Sequence, residues 1–367
     1  MLSKFEIYLK EIICGKRKGF IPNLVKLILR PLSWCYRLGS TIRNWVYDQG
    51  WMRRYVPPVP LVISIGNIVA GGTGKTPVTL LFAQSFYEKF PLAILSRGYR
   101  SKAEKLDHPV VLCTGHGPLY PAAYCGDEPY IFAQRLPKAH VIVGGNRQKA
   151  SCLAAKAGAQ VILLDDGMQH RRLARDFDVV VVDVGDPFGQ GYFLPRGFLR
   201  EDIRSLSRAN LIILNHILQS EQFETVKNQL HEYTSAPVVG TTWQVSGVRD
   251  LQGQTLGALK DKKVGMFCGI AHPEYFRKTL EQEGAEVVAE YWLPDHEKPA
   301  EKELERFTLV CSKKGAEWLV CTEKDRVKLK DILSLAIPLA WLQMELQVVE
   351  GQQEWEKFLK QAEAKIC

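Results

Sequence analysis

The chain has 367 residues, 46% of them hydrophobic and 24% charged, enough apolar material for two or three ordinary cores, which excludes a disordered or collagen-like protein. Its net charge of +8 belongs to the amino-terminal segment: residues 1–60 hold eleven Lys or Arg against Glu6, Glu11 and Asp48, and the remaining 307 residues balance 37 basic against 37 acidic groups. Nine cysteines without a single Cys-x-x-Cys pair exclude a zinc ribbon and a disulfide scaffold, and read as reduced, mostly buried thiols.

The amino-terminal arm comes first, over residues 1–55. Its longest apolar stretch, Phe20 to Leu38, is interrupted by Lys26, Arg30 and Arg37, so no spanning helix is expected. A secretory signal is not expected either, because a short apolar core followed by a small-residue cleavage site is missing. Leu24, Val25, Leu27, Ile28, Leu29 and Leu32 alternate with basic residues and with Trp34, Tyr36, Trp45, Tyr47 and Trp51. Two readings stay open: a helix lying in a membrane interface, or a helix packed on the core with a solvated basic face. No nucleic-acid partner is expected, since no RNA- or DNA-binding motif accompanies the charge.

Val59 to Ile65 reads as a buried strand that runs into Gly71-Gly72-Thr73-Gly74-Lys75-Thr76. Glycine-rich backbone can wrap phosphates with its N–H groups, a lysine at position 75 reaches the β- and γ-phosphates, and the Thr76 hydroxyl ligates Mg²⁺. The pattern GxxxxGK[ST] asks for glycine at 69 and finds Val69. A helix over Val78 to Phe90 follows, with Pro77 in its first turn, where a missing N–H costs little. Membrane-recruited ATPase switches carry a lysine just before the paired glycines, where this chain has Ala70.

Short apolar runs then alternate with helical stretches: Leu92–Leu95, Val110–Cys113, His140–Val143, Val161–Leu164, Val179–Val184 and Leu211–Leu214 predict strands of a parallel sheet covered on both faces. Ser96-Arg97-Gly98-Tyr99-Arg100 ends one strand with guanidinium groups that suit phosphate or plain solvent. Asp127, in Gly126-Asp127-Glu128-Pro129, reads first as the N-cap of a short helix. Asp165 and Asp166 end the strand from Val161, where open parallel sheets bind ligands, and so read as the Mg²⁺-holding acidic element that partners a phosphate cradle. His170 and Arg171 stand near enough in sequence to face the same phosphates. Gly189 to Glu201, with Arg196 and Arg200, reads as a mobile lid. A strand ending in Asn-Lys-x-Asp would mark a guanine reader; Leu211 to His216 ends in Asn-His, which leaves ATP as the nucleotide.

Near Pro237 to Leu251 the pattern loosens into a linker ribbon. A second α/β unit follows, with strands near Val264–Cys268, Val287–Tyr291, Trp318–Cys321 and Leu339–Leu342 and a last helix over Glu354 to Ala364. His296, in Pro294-Asp295-His296, reads on its own as structural or exposed. The predicted architecture is α/β: a P-loop NTPase-like parallel sheet with helices on both faces, plus a second smaller α/β domain joined by a β-ribbon linker. Its divisions are the arm at 1–55, a nucleotide-binding domain at 56–240 and a C-terminal domain at 241–367 that completes the active-site cleft.

Read together, SIGNIVAGGTGKTP (64–77), LSRGYR (95–100), GDEP (126–129), DDGMQHRRL (165–173), LPRGFLRE (194–201), FCGIAHPEYF (267–276), PDH (294–296) and LVCTEKDRVKL (319–329) resemble the tetraacyldisaccharide 4′-kinase family. The resemblance runs along most of the chain. It implies transfer of the ATP γ-phosphoryl group to the 4′-hydroxyl of a tetraacylated glucosamine disaccharide 1-phosphate in lipid A biosynthesis. The enzyme would be peripheral, on the cytoplasmic face of the bacterial inner membrane, held there through residues 1–55. It also implies that Asp127 is the base and His296 its orienting partner, beside Lys75 in catalysis. Gly71, Gly72, Thr73, Gly74, Lys75, Thr76, Asp166, His170, Arg200 and Glu201 then bind ATP, and Thr76, Asp165 and Asp166 hold Mg²⁺. Arg196 and Phe198 stand where the family's lid motif has small residues or proline. The alternative from another class is a membrane-recruited P-loop ATPase switch acting on a protein partner, against which Ala70 argues.

Overall fold

The computed structural model describes residues 4–270, 273–294, 299–329 and 335–367, and the chain clusters into two compact units. The larger comprises residues 3–242 and 346–367. It opens with α1 (Lys4–Ile13) and α2 (Phe20–Asp48). There follow β1 (Leu61–Gly66), α3 (Lys75–Tyr87), β2 (Leu92–Ser96), β3 (Val110–Thr114), α4 (Ala122–Cys125), α5 (Asp127–Arg135), β4 (His140–Val143), α6 (Arg147–Lys156), β5 (Val161–Asp165), β6 (Phe177–Asp183), β7 (Leu211–Asn215), α7 (Ser220–His231) and β8 (Val238–Asp250).

The strand order in this unit is β8-β7-β6-β1-β5-β2-β4-β3. Every pair is parallel except the edge pair β3 and β4, which is antiparallel. The sequence predicts a wholly parallel sheet; the run from Val110 looks the same in either direction, and only the route of its connection sets pairing sense. Strands β1, β2, β5 and β7 are buried at every position, which is why they read as unbroken apolar runs. Register brings Ile65 opposite Asp165 and Gly66 opposite Val180, so the carboxyl ends of β1, β5 and β6 open side by side.

The smaller unit, within residues 243–345, has β9 (Thr255–Leu256), β10 (Lys263–Cys268), α8 (Pro273–Gln282), β11 (Glu286–Trp292), α9 (Glu301–Lys313), β12 (Trp318–Thr322), α10 (Glu323–Arg326) and most of β13 (Leu339–Glu350). Its strands run β11-β10-β12-β13-β8, with β9 antiparallel to β8. Val264, Met266, Cys268, Leu280, Val320, Ala340 and Leu342 form one of its cores. Residues 237–251, expected as a linker ribbon, are mostly the single long strand β8: threonine and valine at Val238, Val239, Thr241, Thr242, Val245 and Val248 suit pleated backbone.

The last helix, α11 (Gln352–Glu363), clusters with the larger unit, although the sequence places it in the second domain. Aromatic packing decides this. Trp355 and Phe358 meet Phe82 of α3 edge-on at 4.7 and 5.8 Å, and Phe358 meets Phe177 at 5.1 Å.

Candidate active site

The glycine-rich turn and the acidic pair converge. Helix α3 begins at Lys75 behind Gly74, which caps it in the left-handed region at φ 85 with no side-chain cap. The first N–H groups of α3 are therefore left for an anion, which the helix dipole favours. A Cβ on Gly74 would sit 2.0 Å from Asn215 Nδ2, so position 74 takes glycine for conformation and for space. Asn215, at the end of β7, donates to the Thr73 carbonyl at 3.2 Å, and Asn67 Nδ2 donates to Thr73 Oγ1 at 2.8 Å. These two bonds brace the loop while Gly71 and Gly72 stay exposed.

Lys75 Nζ lies 3.7 Å from Asp166 Oδ1, and Arg200 Nη1 reaches the same oxygen at 2.8 Å and Asn67 Oδ1 at 3.2 Å. Burial works against the Asp166 charge, but Lys75 and Arg200 hold its carboxyl below the usual range. Asp166 also has φ 52, an uncommon conformation for a residue other than glycine and one that clusters at functional sites.

Asp165 is buried and accepts from Ser96 Oγ at 2.8 Å. Burial, reinforced by the nearby Glu128 charge, pushes its carboxyl up to about 7, so the side chains alone do not fully compensate an ionised Asp165. Together with Asp166 and the Thr76 hydroxyl it makes a hard-oxygen donor set of the kind that fits Mg²⁺. Among the described residues no cluster of three or more His, Cys, Asp or Glu forms an all-protein metal cage; Mg²⁺ is usually held by one or two carboxylates together with phosphate oxygens.

Asp127 is the first residue of α5, half-buried, behind Gly126 at φ 99. A Cβ on Gly126 would sit 3.3 Å from Gly98 Cα, so this turn lies against the one that follows β2, the strand whose Ser96 donates to Asp165. His170 is half-buried; burial and the guanidinium groups of Arg147 and Arg175 push it down to about 4, so it is a neutral imidazole near pH 7. His296 lies outside the described residues.

Three expectations need correction. Arg171 does not face phosphate: its guanidinium is buried, donates to the Asn44 carbonyl at 2.9 Å, pairs with Asp48 and stacks on Tyr47. Glu201 is fully buried and engaged by Arg208, Asn44, Gln169 and Arg43, which leaves it one link from the phosphate loop, through Gln169 to the Asn67 carbonyl at 2.8 Å. The 189–201 segment is stitched to the loop by Ala70 N–H to the Phe198 carbonyl and Arg200 N–H to the Ile68 carbonyl, each 2.7 Å. Val69 pairs with Leu199 in that bridge and joins its apolar cluster, which explains valine where the motif asks for glycine. Arg97, left open between phosphate and plain solvent, is mostly exposed and pairs with Glu104.

Sequence reasoning missed Asn67, Ser96, Arg147 and Asn215. Arg147 is buried and donates to the Asp165 and Gly144 carbonyls at 3.2 and 2.7 Å. Ser96 and Asn215 each close a wholly apolar strand at its carboxyl end, a signal available in the sequence. Arg147 carries no such signal, because its partners come from other strands.

The arm belongs to the larger unit and turns its polar side inward. Ser33, Asn44 and Tyr47 are buried, while Phe20, Ile21, Leu27, Ile28, Leu32, Trp34, Leu38 and Trp51 are exposed, Phe20 at 82% and Trp51 at 70%. No helix among the described residues is long and apolar enough to cross a membrane.

Comparison with known proteins adds a family. The family described as tetraacyldisaccharide-1-P 4′-kinase matches residues 25–364. The tetraacyldisaccharide 4′-kinase of Halothermothrix orenii is 35% identical over 344 residues, 89% of each chain. That of Chlamydia abortus is 36% identical over 327 residues, 86% of this chain and 84% of its own. The crystal structure of LpxK from Aquifex aeolicus in complex with ATP superposes with a TM-score of 0.74 at 28% identity, over 93% of this chain and 99% of that one.

Proposed function

The chain belongs to the tetraacyldisaccharide 4′-kinase family, and on that premise we propose that it moves the γ-phosphoryl group of ATP to the 4′-hydroxyl of a tetraacylated glucosamine disaccharide 1-phosphate in lipid A biosynthesis. The observation that carries the reading is the meeting of the phosphate loop and the acidic pair, with Lys75 Nζ 3.7 Å from Asp166. Phosphoryl transfer needs positioning and charge stabilisation more than covalent chemistry. Gly71 to Gly74 and the N-terminus of α3 cradle the phosphates, and Lys75 and Arg200, now sharing Asp166, turn toward the anionic oxygens. Thr76, Asp165 and Asp166 would hold Mg²⁺, which when bound neutralises phosphate charge.

Asp127 is assigned as the group that accepts the hydroxyl proton. A sugar hydroxyl is a poor nucleophile near neutral pH, and a carboxylate beside it can take its proton as the bond to phosphorus develops. The role of His296 rests on the resemblance of its Pro-Asp-His segment. The division into an arm (1–55), a kinase domain (56–240) that α11 joins, and a C-terminal domain (241–367 without that helix) linked by a β-ribbon belongs to the same reading.

The arm fits a lipid acceptor. An exposed apolar row of this size on a soluble surface marks an interaction site, and its neighbours Lys26 and Arg30 suit an anionic leaflet, where each engaged charge contributes about 1 kcal/mol. This supports a peripheral place on the cytoplasmic face of the inner membrane, where the acyl chains of the substrate stay in the bilayer. The test is incubation with labelled ATP and candidate glycolipids. Label on a disaccharide 4′-position that disappears in Lys75→Ala is expected; ATP consumption indifferent to glycolipid would defeat the reading.

A further inference from the structure

We propose that Ser40 and Asn44 of α2 are positioning residues for Arg200, so that the docked arm sets the geometry of the phosphate site as well as meeting lipid. The inference rests on the kinase reading and deepens it.

Four side chains on one stripe of α2 hold the 193–202 segment. Ser33 Oγ donates to the Phe193 carbonyl at 2.8 Å, Arg37 pairs with Asp202 at 3.2 Å, Ser40 Oγ donates to the Arg200 carbonyl at 3.1 Å and Asn44 Nδ2 donates to Glu201 Oε2 at 2.7 Å. Positions 33, 37, 40 and 44 follow the spacing of one helical face. Leu27, Trp34, Leu38 and Trp45, all exposed, repeat on a second stripe about 100° further round. Lipid-facing and site-facing residues of the arm are therefore different sets.

From that stripe to the reacting phosphates the path is short. The Arg200 carbonyl takes the arm's bond, the Arg200 N–H is held by the Ile68 carbonyl at 2.7 Å, and its guanidinium contacts Asp166 and Asn67 at 2.8 and 3.2 Å. Glu201 repeats the pattern: Asn44 on one side, and on the other Gln169 at 3.1 Å, whose amide also donates to the Asn67 carbonyl. A backbone segment bonded on both sides has one position. Taking away the arm's donors leaves Arg200 fixed from the loop alone, and a guanidinium displaced by an ångström loses much of its value to a transition state.

The experiment uses full-length Ser40→Ala, Asn44→Ala and Asn44→Asp in detergent micelles, with no bilayer to bind. Acceptor kinetics are read beside direct titration with N-methylanthraniloyl-ATP. We expect kcat to fall about threefold for S40A and about tenfold for N44A, with acceptor KM within about twofold and nucleotide affinity weakened in step. N44D is isosteric but cannot donate to Glu201, so it should be no better than N44A; wild-type behaviour of N44D would reduce Asn44 to a space filler and overturn the proposal. So would a raised acceptor KM with kcat and nucleotide affinity unchanged, which would make the helix a lipid-capture device only. S40A removes one hydroxyl from a half-buried place and still decides the matter where an Asn44 variant fails to fold. Absence of transfer to any glycolipid by the wild-type chain would strike the kinase reading, and the nucleotide titration would still judge the positioning role.

Discussion

The phosphate site and the amino-terminal helix depart from ordinary burial in opposite directions. At the carboxyl ends of β1 and β5 charged groups are buried, with Asp165 at 3%, Arg147 at 4% and Glu201 at 0% exposure, whereas along α2 Phe20 stands at 82% and Trp34 at 68%. A buried charge persists where hydrogen bonds and counter-charges replace water; Ser96, Lys75, Arg200 and Arg208 supply them. An exposed apolar row persists where the folded chain gains elsewhere, and the stripe of Ser33, Arg37, Ser40 and Asn44 anchors the helix by its polar side. On the proposed reading the direction of the departure matches the class of partner, concentrated charge an anion with its cation and uncovered hydrocarbon a lipid surface.

That contrast breaks most visibly at Lys75. Lys75→Ala should cut phosphoryl transfer by at least about a hundredfold while melting stays near wild type, and chelation of Mg²⁺ should silence the wild-type enzyme until the ion is restored; turnover surviving both would separate the loop from the chemistry. At the other pole, Leu27→Ser with Trp34→Ser should weaken sedimentation with anionic vesicles by tenfold or more, since each buried side chain contributes roughly 1.5–3 kcal/mol, and folding stability should move by less than about 0.5 kcal/mol. An equal loss of stability and vesicle binding would show that these side chains serve the core.

Two smaller effects sharpen the charged pole. Gly74→Ala places a Cβ against Asn215 at positive φ, and should cost about 1–3 kcal/mol in denaturant unfolding; an unchanged midpoint would mean that Asn215 yields freely. His170 is held down to about 4 from an ordinary 6.5. Above pH 6.5 it is neutral folded or unfolded; between 6.5 and 4 only the unfolded chain takes the proton, so stability falls as pH falls, by at most about 1.4 kcal/mol per pH unit. His170→Asn should flatten that slope, measured as melting temperature against pH, and parallel curves would remove His170 as its source.

Much of the larger sheet was legible because β1, β2, β5 and β7 are buried along their whole length and therefore apolar without alternation, and β2, β5 and β7 end in Ser96, Asp165 and Asn215. The glycine turn was legible for a local reason: strand, tight turn and helix occupy adjacent residues, and backbone sterics permit few alternatives. Arg171 and Glu201 were not legible. An arginine or glutamate near a phosphate motif has the same appearance in sequence whether it meets phosphate or the chain, and here the partners Asn44 and Asp48 lie more than a hundred residues away.

The sequence by itself determined that a phosphate loop, a strand-ending pair of carboxylates and a basic, aromatic arm belong to this protein, since residue chemistry and short-range geometry are written in consecutive positions. Only the tertiary structure decided which side of α2 faces the protein, because composition is blind to the orientation of a helix whose polar and apolar residues both need partners. It likewise assigned Asn215 and Arg147 to the site: a hydrogen bond across a sheet depends on register between strands, and register arises only when the whole core has formed.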